Sequence, residues 1–85
     1  MDRGITDIDT LIREEKRLTA VESYEEAWAE GLSAGIEPEI MAEAAIATAI
    51  AELRRTSGEE SILALLERMG ERVVSGEFDP DRRFH

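Results

Sequence analysis

The apolar and polar positions of this chain follow a helical pattern almost throughout. Apolar residues recur at three- and four-residue spacing in four stretches, and no stretch alternates with the period of two that marks a half-buried strand. Connections of two to five residues between such stretches make successive helices antiparallel neighbours. The pattern therefore predicts an all-α fold, a small antiparallel bundle of three to four helices.

The first predicted helix covers about residues 6–18. Ile8, Leu11 and Ile12 give it a short apolar stripe at helical spacing. A stripe of this length leaves two alternatives open. Residues 1–20 form either a helix that packs on the core or a mobile N-terminal helix that orders on a partner.

The second predicted helix covers about residues 23–34. Ser23 is a residue type favoured at the N-cap of a helix, and Gly35 is typical of a helix end. Tyr24 and Trp28 are four residues apart and therefore share one face. Because aromatic side chains bury large areas, we expect this pair to belong to the core.

The third predicted helix begins at Pro38, a residue tolerated in the first helical turn, and extends to Leu53. Ile46 and Ile50 lie with Leu53 on one side, which suits an intramolecular core. A second side, here called the Ala face, carries mostly small residues after its first position: Ile40, Ala44, Ala47, Thr48 and Ala51. A helix that is apolar on more than one side must be covered on more than one side.

Covering both sides of the third helix within 85 residues is difficult, because a chain this short has few other elements. We therefore expect the Ala face to form a two-fold contact with a second copy, which makes the protein a homodimer. In the alternative, the Ala face packs on the second helix of the same chain.

The fourth predicted helix covers about residues 59–74 and carries one clean apolar stripe. We expect residues 1–76 to form a single helical domain and residues 77–85 to form an irregular C-terminal tail. Within this tail, Phe78 is placed where it can fold back onto the last helix.

The charge of the chain is strongly acidic, at −10, and no Lys or Arg lies between Arg17 and Arg54. Such a field repels phosphate backbones and anionic membranes, so we expect no nucleic-acid and no membrane partner. It favours a basic protein partner, although acidic residues also simply keep small helical proteins in solution. The candidate partner surface comprises Glu22, Glu26, Glu30, Glu39 and Glu43.

The residues needed for most catalytic chemistry are missing. The chain has no Cys, and its one His is His85 at the last position. A nucleophile with a neighbouring base is therefore not available, and we expect no enzyme activity, no catalytic residues and no cofactor. Glu pairs four residues apart suggest a carboxylate metal site as an alternative, but no Glu-x-x-His pair exists to complete it.

Two further expectations complete the prediction. The second and third helices have the lengths of a helix-turn-helix, a DNA-binding alternative that the acidic third helix disfavours.

No apolar run reaches the roughly 18–20 residues of a membrane span, no signal peptide is visible and Cys is absent, so we expect a cytoplasmic protein. The function that follows is a self-associating adaptor or regulator that binds a basic protein.

Overall fold

Three helices make up the fold in the computed structural model, which describes residues 2–80 and the side chains of residues 7–80. Helix α1 is Asp2–Ser33, α2 is Pro38–Leu53 and α3 is Glu59–Val74, and no strand occurs among the described residues. The prediction of an all-α chain is confirmed. The structure has three helices because the first two predicted helices form one continuous helix, α1.

Helix α1 is continuous through the segment where the sequence analysis placed a break. The residues between the two predicted helices, 19–22, are helical and contain neither Gly nor Pro. Ser23 is not an N-cap, since its Oγ donates a hydrogen bond to the Thr19 carbonyl oxygen 2.9 Å away, one turn back inside the helix. The predicted boundary at Ser23 is therefore wrong, and so are the separate helices over 6–18 and 23–34.

The end of α1 is fixed by Gly35, as predicted. Gly35 has a φ of +90°, a backbone conformation that residues with a Cβ rarely adopt. The amide of Ile36 donates to the Gly31 carbonyl at 3.1 Å, and the amide of Gly35 donates to the Leu32 carbonyl at 3.0 Å. These two hydrogen bonds are those of a helix C-cap with a left-handed glycine. They satisfy carbonyls of the last helical turn, and the chain then turns toward α2.

Residues Met1–Glu43 form one compact unit, which holds α1 and the start of α2. Within it, the Met41 thioether lies so close to the Gly31 Cα that a Cβ at position 31 would overlap it. Gly31 and Met41 are both half-buried. The absent side chain at Gly31 therefore leaves the space that the end of the Met41 side chain fills.

Residues Ala44–His85 form the second compact unit, which holds the rest of α2 and all of α3. Ile62 on α3 is 5% exposed and is the only buried side chain among residues 7–80. Ile50, Leu53 and Leu65 of the same unit are half-buried. The core of this unit is therefore the small cluster around Ile62, at the C-terminal end of α2 and the N-terminal end of α3.

The remaining helix ends also follow the sequence prediction. Pro38 is the first residue of α2, and α2 ends at Leu53, whose carbonyl accepts hydrogen bonds from the amides of Thr56 and Ser57 at 3.0 and 2.7 Å. Arg54 adds a side-chain hydrogen bond from its Nη1 to the Ser57 carbonyl at 3.1 Å. These bonds close the turn that leads into α3.

Several predicted core residues are exposed in the chain. Tyr24 is 72% exposed and Trp28 is 37% exposed, so the expectation that they form the core is wrong for this single chain. Ile46 is also exposed, although Ile50 and Leu53 of the same predicted side are half-buried. The large side chains that were to supply the core therefore remain on the surface.

Candidate functional site

The apolar surface of the chain is its most unusual feature. A folded domain usually buries most of its large aliphatic and aromatic side chains, whereas here each of the three helices leaves several of them exposed. Exposed apolar side chains that share one face of a helix are typical of sites where another molecule binds. The candidate functional sites are therefore faces of helices.

The Ala face lies along α2 and is exposed at every position. Ile40, Ala44 and Ala47 are exposed, and Thr48 and Ala51 continue the same side over the next turn. The side chains are small except for Ile40, so another helix can approach the backbone of α2 closely here. The five residues proposed from the sequence thus share one accessible side of one helix.

The acidic side chains proposed as a partner surface are also exposed, but they divide between two helices. Glu22, Glu26 and Glu30 are four residues apart and form a row along α1, here called the acidic row. Glu39 and Glu43 lie in the first turns of α2. No Lys or Arg of α1 follows Arg17, so the acidic row has no basic neighbour along its own helix.

A surface that the sequence analysis missed runs along α1. Once α1 is one helix, seven positions follow the alternating three- and four-residue spacing of a coiled-coil interface. We call them the α1 seam: Leu11, Glu14, Leu18, Val21, Glu25, Trp28 and Leu32. The signal was present in the sequence, because the spacing continues across residues 19–22 without a break.

The apolar members of the α1 seam are open to solvent. Leu11 and Leu18 are 66% and 61% exposed, and Val21, Trp28 and Leu32 are also exposed. Met41 contacts α1 at Gly31, which lies beside the seam and is not one of its members. The first half of the seam is therefore largely open, whereas Trp28 and Leu32 in its second half are 37% and 40% exposed.

The C-terminal end of α3 is closed by a cluster around Arg72. Its Nε donates to the Glu77 Oε2 at 2.9 Å, its Nη1 contacts the Met69 Sδ at 3.3 Å, and its guanidinium carbon lies 4.9 Å from the Phe78 ring centroid. The hydrogen bond that Arg72 donates to the Glu77 carboxylate raises the pKa of Arg72. Phe78 thus folds back toward α3 as predicted, and the cluster is a structural closure of the helix.

The positive φ of Gly76, +83°, allows that closure. It lets the Glu77 amide donate a hydrogen bond to the Arg72 carbonyl at 3.1 Å. This bond places the Glu77 side chain beside the Arg72 guanidinium. Residues 81–85 of the predicted C-terminal tail lie outside the described part of the chain.

Potential metal-ligating side chains lie apart from one another among the described residues. Among residues 7–80, no three acidic or His side chains converge to a metal site. A shallow depression on α1 is lined entirely by that one helix, at Thr19, Glu22, Ser23, Glu25 and Glu26. A depression on a single helix is an open surface and does not enclose a substrate.

None of the described helices combines the length and apolar character needed to cross a membrane. Comparison of the chain with protein-family models, with curated proteins and with solved structures gives no significant match. The surfaces of this chain are therefore the features from which its function can be inferred.

Proposed function

We propose that this protein is a cytoplasmic, non-enzymatic interaction module that self-associates through α2 and binds a basic protein. The single observation that carries the proposal is the exposure of large apolar side chains on all three helices, with one buried side chain among residues 7–80. A lone copy with so small a core has little hydrophobic stabilisation, and association with another chain supplies more.

Self-association is supported by the Ala face. Its five positions are exposed, it contains no charged residue, and its small side chains permit close contact between helices. A contact between two copies of one face is self-complementary and closes as a dimer. In this dimer the two α2 helices pack on each other through their Ala faces.

A basic partner is supported by the acidic row and by the overall charge of −10. Three carboxylates on one side of a helix attract a cationic protein over about one Debye length, about 10 Å at 0.1 M salt. The attraction steers association and selects partners by charge, while the exposed apolar residues supply the contact area.

The test is capture of binding proteins on the immobilised full chain, followed by their identification. We expect a basic protein that is released when salt is raised from about 0.1 M to about 1 M, because the Debye length falls to about 3 Å. The variant Glu22→Gln/Glu26→Gln/Glu30→Gln should lose this protein. The matched variant Glu60→Gln/Glu67→Gln/Glu71→Gln removes the same charge from exposed positions of α3 and should retain it.

Capture of the same proteins by both variants would contradict a role for the acidic row. Capture of no basic protein, or of proteins that stay bound at about 1 M salt, would contradict the proposed charge-selected partner.

A further inference from the structure

The α1 seam is an apolar helix face whose charges limit what can cover it. Five of its seven positions are apolar and exposed, and the other two are Glu14 and Glu25. At about 1.5 Å per residue, the 32 residues of α1 span about 48 Å, enough for three heptads along the seam. A partner that covers the whole seam must therefore be a long helix that can pack against two carboxylates, those of Glu14 and Glu25.

A second copy pairing in parallel does not meet that requirement. In register, like positions of the seam lie opposite each other, so Glu14 would face Glu14 and Glu25 would face Glu25. Four carboxylates would enter an apolar interface with no cation beside them in the seam. The cost of removing unpaired charges from water opposes this arrangement.

A second copy pairing in the antiparallel direction meets the same obstacle. The alignment that packs Leu18 against Val21 also packs Leu11 against Trp28, since each pair of numbers has the same sum. That alignment places Glu14 opposite Glu25, again carboxylate against carboxylate. The charge pattern of the seam thus disfavours both the in-register parallel pairing and this antiparallel pairing, in contrast to the uncharged Ala face.

We infer that the α1 seam is a coiled-coil docking site for an amphipathic helix of another protein that carries Lys or Arg opposite Glu14 and Glu25. The site rests on the proposed function, since it takes the partner to be basic. It adds that the partner segment is a helix and that its basic residues have a defined spacing. Apolar residues of the partner helix cover Leu11, Leu18, Val21, Trp28 and Leu32. Its two basic residues neutralise the carboxylates and set the register, as polar residues do within coiled coils.

The spacing of the two carboxylates gives the partner a signature. Glu14 and Glu25 are eleven residues apart, so the two basic residues of the partner are also eleven apart within a heptad pattern. Reversing the partner helix exchanges which carboxylate meets which basic residue and leaves the spacing unchanged. One peptide therefore tests both orientations.

The probe is a synthetic heptad peptide with Leu at the interface positions and Lys at the two positions eleven apart. The matched peptide has Glu in place of those two Lys. Trp28 is the single Trp of the chain and lies in the seam, so its fluorescence reports occupation directly. We expect the Lys peptide to shift Trp28 emission to the blue and to bind at least about tenfold more tightly than the Glu peptide.

Charge reversal makes the test specific to the seam. The variant Glu14→Lys/Glu25→Lys should invert the preference between the two peptides. The variant Glu60→Lys/Glu67→Lys changes the net charge equally on α3 and should leave the preference unchanged. Circular dichroism of both variants checks that α1 remains helical.

Three results would overturn the docking site: no shift of Trp28 with either peptide, equal affinity for both peptides, or an unchanged preference after charge reversal. A blue-shifted Trp28 in the free protein that moves to the red on dilution would also overturn it, since a second copy would then occupy the seam. Failure here together with charge-dependent capture through Glu22, Glu26 and Glu30 contradicts only the seam and leaves the proposed function standing.

Discussion

At the scale of single residues, two glycines inside helices have opposite surroundings. Gly31 lies against the Met41 thioether, whereas nothing lies within 4 Å of the position that a Cβ would take at Gly70. Glycine in a helix interior costs about 1 kcal/mol relative to alanine. Gly31 therefore serves a contact between α1 and α2 that Gly70 does not serve.

Replacing each glycine with alanine should separate these roles. Gly70→Ala should raise the free energy of unfolding by about 1 kcal/mol, the full gain in helix propensity. Gly31→Ala should gain much less, because the new Cβ displaces Met41. In a Met41→Ala background the gain at Gly31 should return, giving a coupling of at least about 0.5 kcal/mol in a double-mutant cycle by urea unfolding. Additive effects would contradict the contact.

Single residues also mark the limit of prediction from the sequence. Pro38 and Gly35 were assigned correctly because each has a conformational requirement that few other residues meet. Ser23 was assigned wrongly because a hydroxyl suits an N-cap and also suits a bond to the carbonyl four residues back. The choice between those two bonds depends on whether the chain before Ser23 is already helical.

At the scale of elements, the continuity of α1 is the main difference from the sequence prediction. Ile12 and Val21 are nine residues apart, so they lie on opposite sides of a helix with 3.6 residues per turn, and the apolar positions of the two halves do not form one stripe. The drift of a 3.5-residue repeat, about 20° per heptad, is too small to account for this change of side. The α1 seam therefore takes only part of the apolar residues of the first half: it includes Leu11 and leaves out Ile12.

A proline scan tests that continuity. Ala20→Pro should cost about 3 kcal/mol and should lower the helical circular dichroism, because position 20 is interior to α1. Glu59→Pro is the control, since position 59 is the first residue of α3 and the preceding Gly58 is extended with a ψ of 167°. Equal tolerance of the two substitutions would indicate that residues 19–22 form a loop.

At the scale of the whole molecule, the sequence predicted too large a core for one chain. Tyr24 and Trp28 have the residue types of a core pair, and only the structure shows that the described residues leave them 72% and 37% exposed. Apolar residues at helical spacing identify a helix face that is expected to be buried. They do not show whether the same chain or another molecule buries it. The same limit applies to the Ala face and the α1 seam, whose cover we assign from charge.

Substitution of Ala47 tests the assignment of the Ala face. Ala47→Glu should convert the dimer to monomer, because each of two copies would bring a carboxylate into an apolar contact. Because one copy has only a small core, the monomeric variant should also unfold at a lower temperature than the parent chain. A matched Ala64→Glu substitution on the polar side of α3 should leave the dimer intact. Equal dimerisation of both variants would remove the Ala face from the interface.

Sedimentation equilibrium of the full chain at low micromolar concentration tests the central claim most directly. We predict a mass of about 19 kDa, twice the 9.5 kDa of one chain, because a core centred on Ile62 gains its stability from association. A 9.5 kDa species with a cooperative thermal transition would contradict the account, since one copy would then fold stably without covering its exposed helix faces.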